Sequence, residues 1–353
     1  MNKTIKVGLI GYGIGGQVFH APVLSAVKGL QLSVIRASNP EHVALAKSRF
    51  PEARVVADSD ALIQDPSLDL IVITVPNKYH LPLAKKALEA GKNVVVDKPF
   101  TITSQQADEL IGVAESHNRM LSVFHSRRFD SDFRTVQQVI RSGTLGEIVE
   151  FESRYDRFRN YLKPQAWREE PQPGSGILYD LGAHLIDQAL TLFGLPDAIT
   201  ADIRMQRPGA KVDDNFELIL HYPALKVSLK AGMLVREPLE RFIVLGMEGS
   251  FVKKGLDVQE EALKAGLRPG ATPAWGVEPE SIWGTLNTTF NGIHLKGLVE
   301  SEKGNYVDYY QNIYEVLTGT AALAVTPQQA RNVIRVIELA VQSHREAKTI
   351  EYS

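Results

Sequence analysis

The chain has 353 residues, 44% hydrophobic and 23% charged, which is ample material for two or three ordered domains and excludes a disordered or collagen-like chain. Lys plus Arg number 39 against 41 Asp plus Glu, a formal charge of −2, so no general attraction to nucleic acid or an anionic membrane is expected. There is no cysteine, which excludes disulfides, thiolate nucleophiles and cysteine-held metal sites, and no apolar run approaches the roughly 18 residues of a membrane span. The amino end reads as a first strand and not as a secretory signal, which makes the cytoplasm the expected location.

Residues 5–10, IKVGLI, form a short apolar run ending in glycines and predict a buried strand. The next six residues, GYGIGG, place Gly11, Gly13 and Gly16 in a G-x-G-x-x-G pattern that encloses Ile14. In that pattern the first glycine permits a tight turn and the second lets main chain approach a pyrophosphate. The third lets the following helix pack closely on the sheet. Phosphate charge then meets the open N–H groups at the helix start. Further strands are predicted over 31–37, 68–76, 93–99 and 119–126, separated by helices over 40–49, 78–90 and 104–116. Asn39 and Pro40 read as a cap and first-turn proline, and Thr103 with Gln106 as a capping box. Strand, turn and helix repeated at this spacing predict right-handed crossovers and a parallel sheet.

An NAD-preferring site usually carries an acid about 20 residues beyond the glycine loop. Arg36, Ala37, Ser38 and Asn39 stand there instead, with no carboxylate before Glu41. That removes a repulsion against a 2′-phosphate. Ser38 and Asn39 can donate hydrogen bonds, and Arg36 can add charge if strand alternation does not send it elsewhere. NADP(H) is the expected cofactor, with NAD(H) the alternative. Thr74, Pro76 and Asn77 are expected to line the nicotinamide side, and His80 is either a ligand contact or a capping or surface histidine. Lys98, between Asp97 and Pro99 at a strand end, is either an ammonium that polarises a carbonyl and relays a proton or a solvated partner of Asp97.

From about residue 127 the pattern changes. A helix over 131–141 precedes strands predicted over 148–158, 198–207, 215–223, 225–234, 241–253 and 293–299, joined by short turns into a mainly antiparallel sheet. Within 173–194 a helical pattern follows Gly174 and Gly176 and sets Asp180, His184 and Asp187 on one face. His184 can exchange protons near neutrality while a carboxylate orients it or the substrate; a structural histidine bonded to Asp180 or Asp187 is the alternative. The spacing matches no zinc or calcium signature, so no metal is expected. Residues 269–284 read as a loop, and 307–318 and 327–345 as helices, the last opened by Thr326, Pro327 and Gln329. One face of so large an open sheet needs covering, which subunit contact would provide.

In combination, GYGIGG, HAP at 20–22, VPN at 75–77, AGKNVVVDKPF ending at Phe100 and GILYDLGAHLIDQALTLFG at 176–194 make the chain similar to the Gfo/Idh/MocA family of NAD(P)-dependent oxidoreductases. The resemblance covers essentially the whole chain. It implies an N-terminal Rossmann parallel sheet over 1–126 and an α+β substrate and oligomerisation domain with a large, mostly antiparallel open sheet over 127–325. It also implies a terminal segment, 326–353, packed back on the Rossmann domain. Lys98, Asp180 and His184 occupy the family's catalytic lysine, aspartate and histidine positions, although the family usually reads Glu-Lys-Pro where this chain has Asp97-Lys98-Pro99.

SVFHSRRFDSDF (122–133), RYDRFR (154–159) and WREEPQPGSGILYDLG (167–182) narrow the likeness to bacterial NADP-dependent scyllo-inositol 2-dehydrogenases. That likeness implies alcohol–ketone interconversion on a cyclic polyol or sugar. Arg127, Tyr155, Arg157, Tyr161, Trp167 and Arg168 join Asp180 and His184 as candidate substrate contacts, and a homodimer or homotetramer is implied. The alternatives are another sugar or carbonyl reductase of the family, or a non-catalytic NADP-binding regulatory protein.

Overall fold

The computed structural model describes residues 3–164 and 167–352. The chain forms two compact units, each assembled from three segments. The first contains the described residues up to Ser126, together with Gln259–Trp275 and Asn305–Arg331. Its sheet comprises β1 (Ile5–Ile10), β2 (Leu30–Arg36), β3 (Arg54–Val56), β4 (Leu70–Ile73), β5 (Asn93–Val96) and β6 (Leu121–Val123). They lie in the order β3-β2-β1-β4-β5-β6, parallel throughout. The central strands read as unbroken apolar runs because helices cover both faces; all four residues of β4 are buried. Chain direction reverses its progress across the sheet between β1 and β4, the switch point beyond whose carboxyl ends open parallel sheets hold their ligands.

Capping residues fix where the helices begin. Asn39 Oδ1 accepts the N–H groups of Glu41 and His42 at the head of Pro40–Arg49. Thr103 Oγ1 accepts the Gln106 N–H, while Gln106 returns its side-chain oxygen to the N–H of Ile102. Thr326 and Gln329 form the reciprocal pair at the start of Pro327–Glu346. The sequence reading missed β3, a three-residue strand with no apolar period.

The second unit contains Arg127–Val258, Gly276–Gly304 and the chain from Asn332 onward. Its strands are β7 (Ile148–Arg154), β8 (Ala198–Arg204), β9 (Asn215–His221), β10 (Lys226–Gly232), β11 (Phe242–Gly246), β12 (Gly249–Lys253), β13 (Gly284–Phe290), β14 (Ile293–Val299) and β15 (Ile350–Glu351). The order is β14-β13-β12-β11-β7-β10-β9-β8-β15, antiparallel except where β7 meets β10. The single strand expected over 241–253 is a hairpin, β11 and β12, turning at Met247 and Glu248. One face buries Phe151, Leu218, Leu220, Val227, Leu229, Val244 and Phe251. On the other, Lys226, Glu150 and Leu245 fall in one cross-strand row and Glu152, Ile243, Val252 and Leu298 in the next.

Three assignments differ from the sequence reading. Residues 259–275 and 305–325, assigned there to the second domain, belong with the first unit, where Ser122 Oγ donates to Val325 O and meets the Tyr309 hydroxyl at 2.9 Å. The segment 326–353, expected as a whole on the nucleotide domain, is divided at Arg331/Asn332. Its later part joins the nine-stranded sheet because β15 pairs with β8 and the Ser343 hydroxyl accepts the Ala201 N–H.

Fully buried charge is compensated within the second unit. Lys253 Nζ lies 2.8 Å from Glu278, both side chains being inaccessible, and Ser131 Oγ lies 2.6 Å from the same carboxylate. Breaking one partner of such a pair strands the other. Lys253→Ala is expected to cost about 3–5 kcal/mol, read as a lowered urea midpoint.

Candidate functional site

In the first unit the site grows from three strand ends. Gly11, directly after β1, has φ +101°, and a side chain there would press on the Thr74 carbonyl. Thr74, directly after β4, donates its hydroxyl to Gly11 O at 2.7 Å. A Cβ on Gly16 would collide with that same Gly11 carbonyl, whereas one on Gly13 would meet nothing within 4 Å. Two glycines are therefore closed against main chain, and the third faces open space where a pyrophosphate fits. Ile14 is 73% exposed beside it. The helix opens with a wide π turn, Gly15–His20, a feature common at functional sites.

Beyond β2, Ser38 and Asn39 are exposed, while Arg36 turns its Nε to the carbonyl of Ala57 at 3.0 Å. Asn39 spends its side-chain oxygen on the helix cap and keeps its amide hydrogens as donors. Pro76 precedes a 3₁₀ turn over Asn77–Tyr79, and Asn77 is buried. His80 is fully buried rather than exposed to a ligand. Its ring nitrogens reach Pro99 O at 2.9 Å and Val75 O at 2.8 Å, bracing the turns beyond β4 and β5, and burial depresses its pKa. Lys98 follows Asp97 beyond β5; Asp97 Oδ1 accepts its N–H at 2.8 Å, and the peptide to Pro99 is cis.

In the second unit, Asp180 lies in another π turn, Leu178–Gly182, and buried His184 opens the helix Ala183–Phe193. The wide turn departs from the uniform α spacing expected across Asp180 and His184. Asp187, also expected on that face, is occupied by Arg128, whose Nε and terminal nitrogen reach its two oxygens at 2.8 and 2.6 Å. Arg168 Nε lies 3.3 Å from Asp180 Oδ1, and its guanidinium stacks 4.6 Å from the Trp167 ring.

Tyr155 is buried, with the guanidinium groups of Arg127, Arg157 and Arg241 at 4.8, 5.4 and 5.4 Å from its ring. Arg127 also pairs with Asp130 at 3.2 Å. Tyr161 is 61% exposed. Lys98 thus belongs to one unit, and Asp180, His184 and the six further substrate candidates belong to the other.

Asp213 was missed by sequence reasoning. Its carboxylate accepts the Leu178 N–H at 2.7 Å and its main-chain carbonyl accepts that of Ile177. A side chain on Gly176 would strike it. It therefore anchors the turn that carries Asp180.

Family models match both parts of the chain: an oxidoreductase family NAD-binding Rossmann fold over residues 5–125 and an oxidoreductase family C-terminal alpha/beta domain over residues 137–352. The chain belongs to the Gfo/Idh/MocA oxidoreductase family. It is 46% identical over 350 residues to the uncharacterized oxidoreductase YdgJ of Escherichia coli K12, covering 99% of each chain. It is 39% identical over 347 residues to the scyllo-inositol 2-dehydrogenase (NADP(+)) IolW of Bacillus subtilis 168, covering 98% of this chain and 96% of that one. Among solved structures, a putative oxidoreductase, yvaA from Bacillus subtilis, superposes with a TM-score of 0.95 at 37% identity, covering 100% of this chain and 99% of that one. The glycine loop described above lies inside the stretch matched by the NAD-binding Rossmann fold.

Burial pushes the Asp213 carboxyl up to about 6, and its hydrogen bonds from Leu178 and Ile177 only partly offset this. The folded state therefore favours the protonated acid, and that contribution to stability is lost as pH rises from about 4 through 6. Asp213→Asn keeps an acceptor without the charge. Thermal melts should show the variant gaining on the wild-type protein above about pH 6 and not below about pH 4.

Proposed function

We propose that this family member is an NADP(H)-dependent dehydrogenase that interconverts a secondary alcohol and a ketone on a cyclic polyol or sugar, with scyllo-inositol and its 2-keto form as the first pair to test. The observation that carries this reading is similarity along almost the full chain to an NADP(+)-dependent scyllo-inositol 2-dehydrogenase. The absence of a carboxylate from Arg36 to Asn39 supports the phosphorylated dinucleotide. In this reading Gly11, Gly13, Ile14 and Gly16 cradle the pyrophosphate, Ser38 and Asn39 take the 2′-phosphate with Arg36 adding charge, and Thr74, Pro76, Asn77 and Lys98 flank the nicotinamide. The bound nicotinamide supplies a two-electron carrier for the alcohol–ketone couple.

The remaining chemistry falls to side chains. During ketone reduction the substrate oxygen gains negative charge, which the Lys98 ammonium stabilises. His184 delivers the proton to that oxygen, and removes it in the oxidative direction. Asp180 holds a substrate hydroxyl and orients the imidazole. Tyr161, Trp167 and Arg168 offer hydrogen-bonding edges to the remaining hydroxyls, while Arg127 and Arg157 on the buried Tyr155 ring form a rigid support. Such chemistry draws on the nicotinamide pool of the cytoplasm, where we place the protein. We assign the mixed aliphatic and charged face of the nine-stranded sheet, with Ile243, Val252 and Leu298, to contact with a second copy. Sedimentation should then report a dimer or tetramer.

Screening inositols, monosaccharides and their keto forms with both nicotinamides tests the substrate assignment. Turnover confined to NAD(H), or binding of dinucleotide without turnover of any polyol, would count against it. Lys98→Ala and His184→Ala are each expected to lower turnover at least about 100-fold while dinucleotide binding, followed by NADPH fluorescence, persists. Near-normal turnover in a folded His184→Ala variant removes that residue from proton transfer.

A further inference from the structure

Behind Lys98 the first unit buries a line of polar side chains drawn from distant parts of the sequence. His20 closes the wide turn of the glycine loop and is fully buried. Its Nδ1 lies 2.6 Å from the hydroxyl of Tyr310, itself fully buried on the helix Val307–Leu317. Its Nε2 lies 3.5 Å from Asp97 Oδ1, and the Phe124 ring packs against the imidazole at 4.2 Å between centroids. The same Asp97 oxygen accepts the Lys98 N–H. Asp97 Oδ2 faces Gly15, where an added Cβ would come within 3.1 Å.

Burial pushes the Tyr310 hydroxyl well above its ordinary range, so it stays neutral. Whichever of the two donates across the Nδ1 contact, a neutral Tyr310 is compatible with a hydrogen on His20 Nε2, facing the carboxylate. We infer that Tyr310, His20 and Asp97 are positioning residues for Lys98: they fix its main chain from behind and set a negative charge beside its ammonium. The inference rests on Lys98 acting as a catalytic residue, as proposed above. It also gives the nucleotide loop and the lysine a shared support, because His20 ends the loop's own helix turn.

The groups around the Asp97 carboxylate are His20 from the wide turn, His80 from the helix His80–Glu89 and Lys98 next in the chain; Tyr309 and Tyr310 stand beyond His20 on Val307–Leu317. Burial pushes the Asp97 carboxyl up, but His20, with Lys98 and His80 behind it, outweighs burial and holds it below its ordinary value. Asp97 is therefore ionised throughout the neutral range. An anion beside an ammonium favours the protonated amine.

Full-length Asp97→Asn, His20→Asn and Tyr310→Phe, with Lys98→Ala alongside, provide the test. One readout is the pH dependence of polyol turnover. The other needs neither cofactor nor substrate: amine-selective labelling of Lys98 across pH, measured by peptide mass spectrometry against exposed Lys47. Asp97→Asn should lower the Lys98 labelling midpoint and the alkaline limb of the rate profile by about one pH unit. His20→Asn and Tyr310→Phe should move the acid limb upward and cut kcat about ten- to hundredfold with KM little changed. Should His20→Asn fail to fold, Tyr310→Phe, which removes one oxygen, decides the matter.

Unmoved labelling and unmoved rate limbs in well-folded Asp97→Asn and Tyr310→Phe overturn the inference, even if Lys98→Ala is inactive. If Lys98→Ala keeps its turnover, the catalytic reading fails instead. The labelling midpoint then still decides whether Asp97 governs the lysine.

Discussion

The hydroxyl of Thr74 rests on the carbonyl of Gly11 and ties the ends of β1 and β4 together. The bond itself is worth only about 1 kcal/mol net. Its importance is geometric, because it holds two main-chain segments at a separation that no side chain on Gly11 or Gly16 could share. With the loop held so closely, the following turn widens, Gly15 faces Asp97, and His20 enters the interior to meet Tyr310. The tight packing of Gly11 and Gly16 is the consequence of one close approach between the ends of β1 and β4.

The second unit solves a different problem. It places Asp180 and His184 on a helix whose neighbours are largely apolar, so the carboxylates nearby must be neutralised or protonated. Arg128 occupies Asp187 through two bonds, Asp213 is anchored by main-chain N–H groups, and Arg241 lies within 3.3 Å of Asp132. Once these groups are compensated, Asp180, part-exposed in its wide turn, keeps Arg168 as an accessible neighbour. The second unit thus divides its polar groups between those anchored in the interior and those left available at the surface.

What sequence reveals depends on how local the physics is. The glycine loop, the three caps and the apolar strands β1, β4 and β5 are set by residues within a few positions of one another, and each could be read directly. β3 escaped because three partly exposed residues carry no period, and β13 because its polar sequence does not alternate. The hairpin at Met247 read as one strand although the buried positions change parity across the turn, from Phe242 and Val244 to Phe251 and Lys253. Neither wide turn could be foreseen, since both occur in ordinary helical patterns. The pairing of His20 with Tyr310 spans 290 positions, so HAP at 20–22 was visible only as a motif and not as part of a polar line. Lys98, Asp180 and His184 were recognisable as residues; their roles belong to the functional proposal.

The discontinuity of the units has a consequence for how the protein is made. All six strands of the nucleotide sheet are synthesised by residue 123, yet the tyrosines that cover Phe124 and His20 come from 309 and 310. During translation the growing polypeptide must therefore carry an incompletely sealed first sheet while most of its second unit emerges. Any such waiting intermediate exposes aromatic surface, the condition under which nascent chains recruit chaperones or aggregate. A fragment cut at the apparent domain border would be trapped permanently in that unfinished state.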